Sequence, residues 1–120
     1  MSNLVYLIGR LTTDPETIQT ENGKIVLDVD LAVQRSYKNV DGVYESDFIK
    51  CVLLDGIATK ISKYCKKGDL VAIRGQVRTS SYENNKKEKK YSTEIIVDKL
   101  SFLSTQHDKN VEKDKDIDIN

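Results

Sequence analysis

The segment RGQVRTSSY, residues 74–82, alternates polar residues with small or apolar ones. At the two-residue period of a β-strand, one face of this region carries Val71, Ile73, Gly75, Val77 and Thr79. The other face carries Arg74, Gln76, Arg78, Ser80 and Tyr82. The first face is typical of a hydrophobic core. The second face combines cations with a flat π surface, and this combination suits the phosphates and bases of a single-stranded nucleic acid.

Two more rings, Tyr37 and Phe48, flank polar and basic strand ends elsewhere in the chain. Each ring also fits a purely structural role, because Phe48 could lie in the core and Tyr37 could pack across a hairpin. The cations that we expect beside the three rings are Arg35, Lys38, Lys50, Arg74 and Arg78. The segment ENNKKEKKY adds Lys86, Lys87, Lys89 and Lys90, either as phosphate contacts or as a solvated loop.

Residue types that catalyse reactions or hold metals are sparse in this sequence. His107 is the single histidine and lies in a charged C-terminal segment. Cys51 and Cys65 lack CxxC spacing, and we predict two reduced, packed thiols. No cluster of histidines, cysteines or carboxylates accompanies a Gly-rich phosphate loop in residues 1–104. We therefore predict that the protein is not an enzyme and that it uses no metal and no cofactor.

The candidate residues need a scaffold, and hydrophobic periodicity predicts five strands and one helix. Strands are expected in NLVYLIGRL, KIVLDVDLAVQ, FIKCVLL, LVAIRGQVRTSSY and STEIIVDKLSFL, and a helix in DGIATKISKYCKKGD. Turn signals at Asn22-Gly23 and Asp41-Gly42 lie in long loops after the first and second strands, and a third long loop follows the fourth. Gly9 and Gly75 permit tight coiling inside the first and fourth strands. Together with the order of the strands and the helix, they predict an all-β OB-fold. This fold is a five-stranded Greek-key barrel with the short helix between strands three and four.

Length and composition bound the domain organisation. The 120 residues support one domain, and no apolar run approaches the roughly 20 residues that span a bilayer. We also find no signal peptide, so we predict a cytoplasmic, nucleoid-associated protein. The formal net charge of zero divides into −2 for residues 105–120 and +2 for the remainder. We predict a barrel domain over residues 1–104 and a disordered, mixed-charge tail over residues 105–120.

The first predicted strand is apolar on both faces. Its second face carries Leu4, Tyr6 and Ile8, which would be exposed in a monomer. We therefore predict an oligomer interface at these three residues.

Residues 3–104 resemble the bacterial single-stranded DNA-binding protein family. The resemblance rests on LIGRLTTDPE, LAVQRSYK, SDFIKCVLLDGIA, KKGDLVAIRGQVRTSSY and YSTEIIVDKL, in that order. It implies a homotetramer, and it places Tyr37, Phe48 and Tyr82 where family members stack tryptophans or other aromatics on bases. Leu54 stands where the family often has a further aromatic, and Arg74 where it is often acidic.

The expected function is non-catalytic, sequence-tolerant binding and protection of single-stranded DNA in replication, recombination and repair. Two alternatives remain open on the same fold: a primosome-assembly or protein-interaction module, and an RNA-binding chaperone. The tail either recruits replication and repair proteins through its acidic and apolar end or is a solvated segment without a partner.

Overall fold

The computed structural model describes residues 1–105 and 117–118, which form a β-barrel with one helix. The strands are β1 (Val5–Leu11), β2 (Ile18–Gln19), β3 (Ile25–Lys38), β4 (Tyr44–Leu54), β5 (Leu70–Glu83), β6 (Lys89–Ser104) and β7 (Ile117–Asp118), and the helix is α1 (Asp55–Tyr64). Five long strands follow one another in the order β1-β5-β6-β4-β3, and a β1–β3 pairing closes the barrel. Only β4 and β6 pair in parallel among these five. This architecture confirms the predicted OB-fold, with α1 between its third and fourth barrel strands.

Two glycines let the barrel strands approach closely. A Cβ atom on Gly9 would collide with the backbone carbonyl of Ala32, and one on Gly75 would collide with the carbonyl of Ile96. The first collision would separate β1 from β3, and the second would separate β5 from β6. Glycine at both positions is therefore a condition of barrel closure.

The period-two pattern correctly predicts the barrel core. Leu27, Val29 and Leu31 are buried along β3, and Val71 and Ile73 are buried along β5. Helix α1 contributes Ile61, which is also fully buried. Because successive strand side chains alternate between faces, the remaining residues of these strands are directed to the outside of the barrel.

The pattern is wrong where strands leave the barrel. It places Val77 and Thr79 in the core, but both are exposed, Val77 by 39%, on the part of β5 that continues beyond Gly75 toward the hairpin with β6. The loops after the second and fourth barrel strands are also shorter than the sequence predicts. Strands β3 and β4 extend to residues 38 and 44, and β5 and β6 to residues 83 and 89, so only residues 39–43 and 84–88 form turns. Two long hairpins thus project from the barrel.

The turn that follows α1 explains why the DPE and KKGD segments occur together. The Asp69 carboxylate, which is buried, accepts a hydrogen bond from the backbone N–H of Lys66. Asp14 accepts one from the backbone N–H of Lys67. The Arg10 guanidinium donates to the carbonyl of Gly68, which connects this turn to β1.

Both cysteines are free and buried, as predicted. The pKa of each thiol is raised to about 12, mainly because burial disfavours the thiolate, with a smaller contribution from Asp30 near Cys51 and from Asp69 near Cys65. Cys65 rather than Tyr64 completes the apolar face of the helical segment, and the Tyr64 side chain is exposed. Helix α1 has ten residues, and no helix within the described residues is long and apolar enough to cross a membrane.

Most of the predicted tail lies outside the described residues, including His107. Residues 117 and 118 pair with β6 as the two-residue strand β7, in which Ile117 lies opposite Phe102 and Asp118 opposite Ser101.

Candidate nucleic-acid interface

One continuous outer surface runs across β4, β6 and β5, and we call it the binding face. Lys50 on β4 lies beside Glu94 on β6, and Glu94 lies directly opposite Arg78 on β5. Residues directly opposite one another on paired strands direct their side chains to the same face. The same alternation places Phe48 next to Lys50 on β4, and Tyr82 beyond Arg78 on β5. The binding face therefore has a ring at each side and charged groups between them, over two strand spacings of roughly 5 Å each.

The rings predicted to stack on bases are all exposed. Phe48 has 69% of its surface exposed, so it does not lie in the core, and it faces Ala32 across the β3–β4 pair. Tyr82 is exposed near the tip of the β5–β6 hairpin, opposite Lys90. Tyr37 is exposed near the end of β3, close to Arg35 and outside the part of the binding face between Phe48 and Tyr82. Exposed rings in these positions leave a π surface available without exposing the core.

The predicted phosphate-binding cations are largely paired with acids of this chain. Lys50 and Arg78 both contact Glu94, at 3.8 Å and 2.8 Å respectively. The Arg74 guanidinium lies 2.8 Å from Asp98, and the Lys90 ammonium lies 3.3 Å from Glu88. A phosphate that binds any of these cations competes with a carboxylate that is already in place.

Arg35 has a different position from the other candidates. Its guanidinium donates to both carboxylate oxygens of Asp47, at 2.8 to 3.2 Å, and to Glu45 at 3.3 Å. Asp47 lies opposite the half-buried Val33, which packs against the core, so this cluster lies on the face away from Phe48. The hydrogen bond with Asp47 is the main cause that raises the pKa of Arg35, and it also lowers the pKa of Asp47.

This cluster continues into the turn between β3 and β4. Glu45 also accepts a hydrogen bond from the Asn39 side chain, and Asn39 in turn accepts bonds from the backbone N–H groups of Asp41 and Val43. Gly42 adopts a positive φ of 77°, as the Asp41-Gly42 turn signal predicts. These bonds fix the hairpin that carries Tyr37 and Phe48.

The predicted lysine loop is a tight turn followed by a strand. The Asn84 side chain accepts hydrogen bonds from the backbone N–H groups of Lys86 and Glu88, and Lys87 adopts a positive φ of 59°. Lys89 and Lys90 belong to β6, not to a loop. The four lysines therefore lie around the tip of the β5–β6 hairpin, where Lys90 is opposite Tyr82 and Lys89 is opposite Glu83.

Two exposed tyrosines that lie beside lysines are not among the residues predicted from the sequence. The Lys38 ammonium lies 5.6 Å from the ring centroid of Tyr44, and the Lys89 ammonium lies 5.5 Å from that of Tyr91. Tyr91 faces Ser81 rather than Tyr82, so it belongs to the reverse face of its hairpin. Both tyrosines lie inside segments that the sequence predicts to be loops, so only the strand extensions reveal their orientation.

An open groove of about 370 Å³ borders the binding face next to Lys50. Asp28 and Asp30 line it together with Thr12 and Thr13. The two carboxylates repel phosphate, so this groove is an unfavourable place for a phosphate group.

Residues 2–103 match the family model described as the single-strand binding protein family. The chain belongs to this family. It is 43% identical over 103 residues to single-stranded DNA-binding protein B of Bacillus subtilis, covering 86% of this chain and 91% of that protein. It is 42% identical over 105 residues to single-stranded DNA-binding protein 1 of Lactococcus lactis, covering 88% of this chain and 70% of that protein. Single-stranded DNA-binding protein 1 of Staphylococcus aureus is 37% identical over 114 residues, covering 95% of this chain and 73% of that protein. These matches confirm the resemblance that the strand and turn motifs indicated.

Proposed function

We propose that this family member binds single-stranded DNA without catalysis and with little sequence preference, in replication, recombination and repair. The observation that carries the proposal is the binding face, where Phe48 and Tyr82 flank a cluster of cations on a barrel of this family. Every base has a π face, so stacking on such rings is tolerant of sequence. Its relatives are likewise named for binding single-stranded DNA.

The individual roles follow from position. Tyr37, Phe48 and Tyr82 stack on bases, and Lys50 and Arg78 contact the phosphates between them. Further phosphate contacts come from Lys38, Lys86, Lys87, Lys89 and Lys90 at the hairpin tips. Arg74 lies at the margin of the face beside Asp98, and Arg35 supports the hairpin from the other side.

Intrinsic fluorescence tests this proposal, because the chain has six tyrosines and no tryptophan. Poly-deoxythymidine should quench the tyrosine emission as Tyr37 and Tyr82 stack on bases. Tyr82→Phe retains the ring, so it should reduce the amplitude of quenching while leaving affinity nearly unchanged. Emission that poly-deoxythymidine leaves unchanged, with no binding by a second method, would refute the proposal.

We also propose that the protein is a homo-oligomer, and specifically a homotetramer. Leu4, Tyr6 and Ile8 are exposed by 70%, 63% and 49%, which leaves an apolar stripe along β1 and the residue before it. Strand β1 pairs with β3 only at Arg10 and Leu11, so residues 5–9 have one backbone edge without a strand partner within the described residues. A second copy covers both features, whereas the number four comes from the family resemblance.

Light scattering tests the assembly. Tyr6→Lys introduces a charge into the stripe and should lower the measured mass, whereas Tyr64→Lys on the exposed side of α1 should not. A wild-type protein that has the mass of a monomer at micromolar concentration would contradict the interface.

The remaining proposals concern location and partners. A protein that binds single-stranded DNA works where DNA is unpaired, so we propose a cytoplasmic, nucleoid-associated location. We propose further that residues 105–120 recruit replication or repair proteins. Pull-downs that recover the same proteins with the full chain and with residues 1–104 would exclude that recruitment.

A further inference from the structure

Within the described residues, Glu94 is the carboxylate of the binding face that is both buried and paired with two cations. Its side chain is 10% exposed, and its Oε1 atom accepts a hydrogen bond from Arg78 Nη2 at 2.8 Å. Its Oε2 atom lies 3.8 Å from Lys50 Nζ. Arg78 and Lys50 themselves are about half exposed and therefore accessible to a phosphate.

The other ion pairs near the face have exposed acids. Asp47, Glu45, Asp98 and Glu88 have side chains that are about half exposed. An exposed carboxylate can rotate into water when a phosphate takes its partner, so it competes only weakly. Glu94 has no comparable freedom, since burial among the strands holds its charge beside Arg78 and Lys50 whether or not a phosphate is present.

We propose that Glu94 is a fixed counter-charge that determines how strongly the centre of the binding face attracts phosphate. It cancels about one of the two positive charges while it holds Arg78 in place by a single nitrogen. The remaining guanidinium N–H groups stay available to a phosphate. The affinity for DNA at this position then depends less on salt than it would with two free cations. Stacking on Phe48 and Tyr82 contributes a correspondingly larger share of the binding free energy.

The inference rests on the proposed function, and the salt dependence of DNA binding tests it. A labelled oligo-deoxythymidine is titrated with wild type, Glu94→Gln and Glu21→Gln over roughly 0.05 to 0.5 M salt, with anisotropy as the readout. Glu94→Gln frees about one cation, so its slope of log affinity against log salt should be steeper by about 0.7. The affinity ratio of this variant to wild type should therefore rise about fivefold as salt falls tenfold.

Glu21→Gln is the matched control. It removes the same charge from the turn between β2 and β3. This turn precedes the first residue of β3 and lies away from Phe48, so the variant should leave the slope unchanged. Parallel lines for Glu94→Gln and wild type, or a flatter line for the variant, would overturn the inference. A wild type that does not bind the oligonucleotide would overturn the proposed function as well.

A double variant keeps the test decisive if Glu94→Gln does not fold. Arg78→Gln with Glu94→Gln removes the cation and its counter-charge together, so the net charge of the binding face is unchanged. If Glu94 is a counter-charge of the binding face, the double variant has a slope about 0.7 steeper than that of Arg78→Gln alone. If those two variants have equal slopes, Glu94 does not offset a cation, and the inference is wrong.

Discussion

Truncation of Phe48 separates base stacking from stability because this ring adds little to the core. Its surface is 69% exposed, and the residue opposite it on β3 is the small Ala32. Phe48→Ala should therefore leave no cavity and should reduce the free energy of unfolding only by the value of one cross-strand pair, about 0.2 to 1 kcal/mol. Loss of one stacked base should cost about 1 to 3 kcal/mol of binding, which corresponds to a roughly 5- to 140-fold weaker affinity.

The assay is anisotropy of a labelled oligo-deoxythymidine, with urea unfolding as the check on stability. Tyr64→Ala is the matched control, since this ring is 68% exposed but lies on α1, away from the binding face. Phe48→Trp should change affinity in the opposite direction, because a larger ring covers more of a base. A folded Phe48→Ala protein with wild-type affinity, or an equal loss in Tyr64→Ala, would refute the stacking role.

Three further predictions follow from the barrel and its hairpins. Gly75→Ala should destabilise the fold by roughly 1 to 3 kcal/mol, because a Cβ atom there meets the Ile96 carbonyl. Gly56→Ala on α1 meets open space and should stabilise the fold by up to about 1 kcal/mol. Urea unfolding measures both variants, and an equal change in the two would contradict this prediction. The pKa of Asp47 lies below its usual value of 3.8, so the stability that its pairing with Arg35 contributes is present above that pH and is lost as pH falls through the folded-state pKa. An NMR titration should show the Asp47 pKa moving back toward 3.8 in Arg35→Gln, and no change would exclude the pairing in solution. The four hairpin lysines are Lys86, Lys87, Lys89 and Lys90. Their replacement with Gln should flatten the slope of log affinity against log salt by up to about 0.7 for each phosphate that is no longer neutralised. An unchanged slope would mean that these lysines are only solvated.

The sequence predicts the barrel well because barrel strands obey a simple geometric constraint. Leu27, Val29 and Leu31 are buried since alternate residues of a curved sheet must face the interior. The same rule fails at Val77 and Thr79, where the pattern of β5 continues but the side chains are exposed. Periodicity describes one strand at a time and cannot tell where its neighbours end.

The candidate site is predictable from the sequence in its residue types but not in its charge pairing. Exposure of Tyr82 follows from alternation along its strand, whereas the sequence leaves Phe48 between a core and an exposed position and only the structure shows its exposure. The pairing of Arg78 and Lys50 with Glu94 depends on the register among β5, β6 and β4, which brings together residues separated by 16 and 44 positions in the chain. Arg35 is a second case in which strand register decides the charge pairing. The sequence alone favours a phosphate contact for Arg35, because its two acidic partners belong to another strand and are not recognisable as its neighbours.

The most direct test of the central claim is a competition experiment on the intact protein. A labelled oligo-deoxythymidine is bound first, and unlabelled single-stranded DNA, single-stranded RNA and duplex DNA of equal length are then compared as competitors. Stacking on Tyr37, Phe48 and Tyr82 requires unpaired bases, so single-stranded DNA should displace the label most effectively and the duplex should fail even in large excess. Equal displacement by the duplex would contradict the assignment of single-stranded binding, and preferential displacement by RNA would contradict DNA as the ligand.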